Sequence, residues 1–314
     1  MKKKLSDYEY RLRWKRLLQA TVAGVCIVIL FLGGGFLIWH IREKFVNDRI
    51  SAQELWESGA YKDIFDISGT ILEETPLDYE MLILRGFSAY QLALAQITIS
   101  DKAVYIEKSI QYLRKALLVK TTIMDGAIQY VLGKAYYGKG AEYAGLAVQS
   151  LEFAKQMGFS GDDMNEYLGI AYAALRDYRM SVAALTEALN SPRGEGHFSD
   201  ALLLSIANSY IALDDFNMAI AYLMRCLDIS KDDNAKRLVR FKLGDIYFKQ
   251  EDYSAAENQY TAILKDFGEN ADSHYWLGEI NAARNNQIQA RAEWRKAVQI
   301  DPTHRSARSR LTLR

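Results

Sequence analysis

Gly244 and Gly278 stand 34 residues apart, and each opens the same spaced series of small and aromatic residues. After Gly278 come Ala290 at +12, Trp294 at +16, Ala297 at +19 and Pro302 at +24. After Gly244 come Ala256, Tyr260 and Ile263 at the first three of those offsets. A period of this length marks a repeat architecture, in which one unit cannot bury its own apolar face and must stack on copies of itself. Used as an anchor, the small residue extends the series towards the N-terminus. Ala207 is followed by Ala219, Leu223 and Cys226, and Gly169 by Leu185 and Ala188. Gly133 is followed by Ala147, Leu151 and Ala154, shifted by a turn two residues longer. Gly86 anchors a stretched unit whose second helix, residues 110–118, arrives about eleven residues late; Ala52 anchors a weak first unit ending at Pro76.

The spacing has a physical reason. Residues at −1, 0, +3 and +4 around the anchor share one face of a helix with 3.6 residues per turn. The small anchor admits the paired helix, and Leu132, Leu168, Leu243 and Leu277 fill the space beside it. The chain has three prolines, Pro76, Pro192 and Pro302, each at the expected end of a second helix, where a helix must stop. Leu-Gly in one helix followed by spaced Ala, aromatic, Ala and Pro resembles the tetratricopeptide repeat. The resemblance covers residues 45–302, and it implies an all-α chain: an α-solenoid of about six to seven hairpins over residues 42–302. Ser181 and Asn281 depart from the family pattern, and residues 190–199 and 231–236 read as longer loops.

Residues 17–41 contain no Asp, Glu, Lys or Arg. As a helix they extend about 37 Å, enough to cross a hydrocarbon core of ~30 Å with tilt. Trp14 and Trp39 lie near the two ends, where indole rings favour the interface. A cleaved leader has a shorter apolar run, of roughly 7–15 residues, before a small-residue cleavage site; Phe36 to His40 offers none, and Val25 before Cys26 does not suit lipoprotein processing. The span therefore reads as a retained anchor. Ahead of it stand seven Lys or Arg, against three in residues 42–57. The positive-inside bias then places residues 1–16 in the cytoplasm and the repeats outside it, which in a bacterial cell means a single-pass inner-membrane protein. That layout is similar to the YfgM-type translocon accessory proteins.

Formal net charge is zero, with basic residues gathered at both ends, in 1–16 and in the tail 303–314. The repeats between are net acidic, which excludes nucleic acid as the main partner. The basic tail reads as a solvated cap on the last repeat, or as a contact for lipid headgroups or an acidic protein. Two cysteines exclude a disulfide framework, and Cys226, at the small second-helix position, reads as a buried thiol.

No nucleophile elbow, phosphate loop, zinc-protease helix or paired-cysteine motif occurs, so no catalytic residue, metal or cofactor is expected. Gly138-Lys139-Gly140 begins like a dinucleotide fingerprint but reads as a turn between helices. Asp232-Asp233-Asn234 lacks the Gly and distal Glu of a calcium loop, and His40, His197, His274 and His304 are scattered and read as solvated.

Binding is the chemistry left. The resemblance implies that first helices line a groove through positions −3, +1 and +4 from the anchor. Those positions supply Phe87, Tyr90, Tyr130, Lys134, Tyr137, Asn208, Phe241, Asp245, Phe248, Tyr275 and Glu279, with Ile83, Leu204 and Ile211 beside them. Aromatic anchors among isolated polar groups suit an extended or helical peptide. The bland alternative for each ring is core packing. A carboxylate clamp of the kind co-chaperones use is not matched: Leu204, Asn208, Lys242, Asp272 and Trp276 give only fragments, and Asp272 would repel the ligand. The expected function is a non-catalytic, membrane-anchored scaffold for protein partners, either chaperone-like or an adaptor of an envelope complex. The alternative is a cytosol-facing receptor of opposite topology.

Overall fold

The computed structural model describes residues 54–119, 124–191 and 200–312. Among them every regular element is a helix. The anchor expected over 17–41 lies outside the described residues, as do Ala52 and Pro192. Within the described residues no helix is long and apolar enough to cross a membrane. The chain divides into two units, 1–121 and 122–314.

In the first unit, a helical segment at 54–58 precedes α1 (Tyr61–Glu74), α2 (Tyr79–Leu94) and α3 (Ile99–Val119). The stretched repeat is thereby corrected: its second helix begins at Ile99, eleven residues earlier than expected, and runs unbroken for 21 residues. The extra residues lengthen the helix instead of opening a loop. The packing register survives the insertion, because a Cβ on Gly86 would collide with the Leu113 side chain, and Leu113 is the counterpart of the +16 residue elsewhere. Pro76 follows the end of α1, as expected. Arg85 on α2 lies across the Phe65 ring, 4.1 Å away, and donates to the Phe65 carbonyl at 2.5 Å, using room left by Gly69.

The second unit holds five hairpins: α4 (Asp125–Lys139) with α5 (Ala144–Gln156), α6 (Met164–Ala174) with α7 (Tyr178–Asn190), α8 (Asp200–Ala212) with α9 (Phe216–Ile229), α10 (Asp233–Lys249) with α11 (Tyr253–Phe267), and α12 (Ala271–Ala283) with α13 (Gln287–Ile300). Each second helix also packs on the first helix of the next hairpin, so burial is shared between neighbours. Gly133 meets Leu151, Gly169 meets Leu185, Gly244 meets Tyr260 and Gly278 meets Trp294. The small anchor thus faces the large +16 residue directly. Ala256, Ile263, Ala290 and Ala297, at +12 and +19, are wholly buried beside it.

Four hairpin turns share one chemistry that the apolar pattern does not show. Arg176, Asp214, Glu251 and Asn285 have φ of 62°, 59°, 62° and 63°, and each is followed by a helix-capping residue. Asp177, Asp215, Asp252 and Asn286 accept the backbone N–H of Met180, Met218, Ala255 and Gln289 at 2.9–3.3 Å. Their own N–H groups close the preceding helix onto the carbonyls of Tyr172, Tyr210, Tyr247 and Asn281. Gly140 takes the left-handed position of the α4–α5 turn at φ 123°, and a 3-10 turn, Ala141–Tyr143, absorbs the extra residues. Gly138 and Lys139 therefore belong to the last turn of α4 and not to a loop. The Lys231–Lys236 region likewise is not a long loop: Asp232 caps α10 by accepting Asn234 N–H at 3.0 Å, and the added residues extend that helix.

The basic tail is a helix, α14 (Arg305–Thr312), packed on α13 through the wholly buried Ala307. It packs over the end of the last hairpin.

Candidate functional site

The second unit gathers several of the −3, +1 and +4 side chains of its first helices into two clusters. In the α4–α6 cluster Lys134 is boxed in. Its Nζ is 2.7 Å from Asp163 Oδ2 and 3.2 Å from the Tyr130 hydroxyl, and it lies 4.8 Å and 4.9 Å from the Tyr130 and Tyr167 ring centroids. Tyr130 donates to the same Asp163, and burial with that hydrogen bond drives its phenol pKa upward. Tyr137 stands edge-on to Tyr167 at 5.1 Å and is 39% exposed. Lys134 is occupied by the chain itself, while Tyr137 presents a ring to solvent.

The second cluster spans α10, α11 and α12, with His304 just before α14 at its edge. Phe248 packs edge-on to Tyr253 and Trp276, at 5.5 Å and 5.3 Å. Trp276 stacks on Tyr260 at 5.9 Å and 3°, and meets Tyr275 edge-on at 5.5 Å. Phe241 lies 5.9 Å from Tyr260, and Tyr275 5.3 Å from His304. Phe241, Phe248, Tyr275 and Trp276 are half-buried, so one edge of this connected set of rings remains open. Asp245 sits among them, accepting the Tyr260 hydroxyl at 2.8 Å. Burial pushes its carboxyl above the ordinary range, opposed by that hydrogen bond and by Lys249 and Lys242 at longer range. Burial also lowers the Lys242 pKa.

Not every expected groove residue is open. Tyr90 is buried, 5% exposed, and belongs to the core of the first unit. Glu279 is buried as well, because Arg310 of α14 forms a two-bond fork onto it at 2.9 Å and 2.5 Å. Phe87 is half-buried against Trp56 at 6.2 Å, and Asn208 is exposed but outside both clusters.

Two residues that the offsets do not select, Tyr167 and Trp276, hold the clusters together. Both lie two residues before their anchors, one position off the sampled stripe and close enough for a large ring to reach across it. The expectation of solvated histidines is also corrected. His274 is 4% exposed, with Nδ1 2.6 Å from Glu293 and Nε2 2.7 Å from Glu269. Lys296 reaches the same Glu293 at 2.9 Å, and the group ties α12 to α13. His304 accepts the Ala307 N–H and so starts α14. Cys226 is wholly buried, and burial pushes its thiol pKa up to about 11. No cluster of metal-ligating residues occurs among the described residues.

Family models described as tetratricopeptide repeat match residues 199–269 and 241–305. Over those residues the chain carries tetratricopeptide repeats. No curated protein matches it. Among solved structures it is similar to the C-terminal part of a repeat-containing protein of this family from Cytophaga hutchinsonii, at 15% identity and TM-score 0.57, over 84% of this chain and 99% of that one. It is also similar to the apo form of the quorum sensor NprR from B. thuringiensis, at 15% identity and TM-score 0.54, over 87% of this chain and 80% of that one. At such identities the likeness is one of fold. The matched tetratricopeptide repeats include the whole α10–α12 cluster, and they give a framework suited to binding proteins or peptides.

Proposed function

We propose that this protein is a non-catalytic scaffold that binds protein partners across the first-helix face of its repeats, held at the membrane by residues 17–41 with the repeats outside the cytoplasm. The observation that carries the binding reading is the open edge of the α10–α12 rings. Phe248, Trp276 and Tyr275 are packed on one side and accessible on the other. Rigid half-exposed rings around a polar centre are what an anchor-type interface requires. The anchor and its orientation rest on the uncharged stretch and the basic excess before it.

Photocrosslinking in intact cells tests the binding face. A photoreactive residue at Phe248 should capture a discrete partner, and one at Met224, exposed on the second helix α9, should not. A single stoichiometric product marks an adaptor, and a smear of many clients a chaperone. Equal capture from both positions would overturn the face. External protease on spheroplasts tests the topology: repeats that survive would reverse the orientation and favour a cytosol-facing receptor.

A further inference from the structure

Three first helices of the second unit carry a charge one residue after the small anchor: Lys134, Asp245 and Glu279. The fold answers two of them from within the chain. Lys134 is met by Asp163, from the segment before the next first helix, at 2.7 Å. Glu279 is met by Arg310, from the capping helix, through two hydrogen bonds. In both places rings stand beside the cation: Tyr130 and Tyr167 beside Lys134, and Trp294 5.9 Å from the Arg310 guanidinium.

Asp245 is the exception. Its Oδ1 accepts the Tyr260 hydroxyl, and the cations that act on it within the chain, Lys249 and Lys242, do so only at longer range. Phe241 and Phe248 stand one turn to either side of it on α10, and Trp276 leans over Tyr260 from α12. The surroundings therefore match those of the two satisfied charges, but no cation among the described residues is in contact with the carboxylate.

We propose that Asp245 is the open counterpart of Glu279, and that it receives an Arg or Lys side chain from a partner segment lying across the first-helix face. This rests on the reading of that face as a partner-binding surface. A guanidinium supplies several donors to the carboxylate and a flat face to the rings, and an ammonium supplies a point charge over the same rings. Arg310 on Glu279 is the internal precedent for the contact. The desolvated Asp245 carboxylate gains from such a partner, since an opposite charge compensates the burial that opposes its ionisation. An acidic side chain at that place would be repelled.

The test is selection of dodecapeptides from a random displayed library on the full chain in detergent micelles, repeated on Asp245→Asn and on Trp276→Ala. Peptides selected on the wild type should carry an Arg or Lys at one fixed position. Replacing that residue by norleucine should weaken binding about tenfold or more, the range of a charged hydrogen bond. On Asp245→Asn the Arg and norleucine forms should bind alike, while Trp276→Ala should weaken both. Selected peptides without a preferred cation, or a preference that survives Asp245→Asn, would overturn the cation site and leave the face intact. Binding that survives Trp276→Ala, or no selected peptide at all, would overturn the face and this inference with it.

Discussion

The hairpins α4–α5 and α6–α7 achieve the same close approach as α10–α11 and α12–α13, but with different side chains behind the anchor. In the first pair a leucine fills the gap and backbone comes close too: a Cβ on Gly169 would lie 3.1 Å from Leu185 N, and one on Gly133 3.1 Å from the Ala147 carbonyl. In the second pair the nearest atoms are all ring atoms, of Tyr260 and Trp294. A leucine ends inside the core. The Tyr260 ring reaches through the hairpin, and its hydroxyl, still buried, donates to Asp245 on the first-helix side. The residue at +16 therefore sets two things at once, the packing of a hairpin and the chemistry of the surface in front of it.

The largest effects should come from removing those fillers. Tyr260 and Leu185 are both wholly buried. Tyr260→Ala should lose ~3–5 kcal/mol and Leu185→Ala ~2–5 kcal/mol, read from denaturant unfolding. Tyr260→Phe keeps the ring and removes only the hydroxyl, and should lose about 1 kcal/mol. If Tyr260→Phe is as damaging as Tyr260→Ala, the hydrogen bond and not the ring holds α10 to α11, and the contrast between the two regions fails. Leu243, wholly buried beside its anchor, should fall with the fillers as Ala, while the half-exposed Phe248 should not.

Next come the anchors. A methyl on Gly169 or Gly278 overpacks a filled gap, a change worth ~1–3 kcal/mol, offset by up to ~1 kcal/mol of better helix propensity. Gly169→Ala should be the more damaging of the two, because backbone cannot yield where a Trp294 ring can tilt. Thermal melts that rank Gly278→Ala as equal or worse would show the aromatic hairpins to be the tighter pair.

The apolar framework was legible because burial acts on side chains at fixed helical spacing. Gly133, Gly169, Gly244 and Gly278 with their +16 partners follow directly from that spacing, and even the stretched unit keeps Leu113 in register. The turns were written in the sequence too, but disguised. Arg176, Asp214, Glu251 and Asn285 take a conformation that glycine favours without being glycine, so a search for glycine passes over them. Least legible were the pairings that decide which charges stay open. Asp163 and Arg310 lie 29 and 31 residues from the groups they neutralise, outside any periodic pattern. Burial of Glu279 could not be read from its offset for that reason, nor that of His274 between Glu269 and Glu293.

The turns are where the two regions agree, and their capping residues should respond alike. Asp177→Ala and Asp252→Ala each remove the acceptor of one helix-start N–H, a loss of about 1 kcal/mol by either thermal or denaturant unfolding. A marked difference between them would mean that the hairpins differ in their turns as well as in their fillers.

The smallest effect, and the one that separates the clusters by sign, is electrostatic. Burial raises the Asp245 pKa on folding. A group with a raised folded pKa favours the folded state at low pH, and that contribution disappears as pH rises through the folded value. Asp245→Asn removes the titration and keeps an oxygen for the Tyr260 hydroxyl. The variant should therefore gain on the wild type in melting temperature as pH rises above the ordinary carboxylate range and through the raised folded value. Asp163→Asn makes the same chemical change in the α4–α6 cluster, where the carboxylate is paired with Lys134 at 2.7 Å. There the loss of an ion-pair partner should lower the melting temperature at neutral pH. Opposite directions at neutral pH would follow from one carboxylate being answered within the chain and the other left for a partner. Movement of both variants in the same direction would mean that Asp245 is as fully compensated as Asp163, and would remove the electrostatic reason for a cation to bind there.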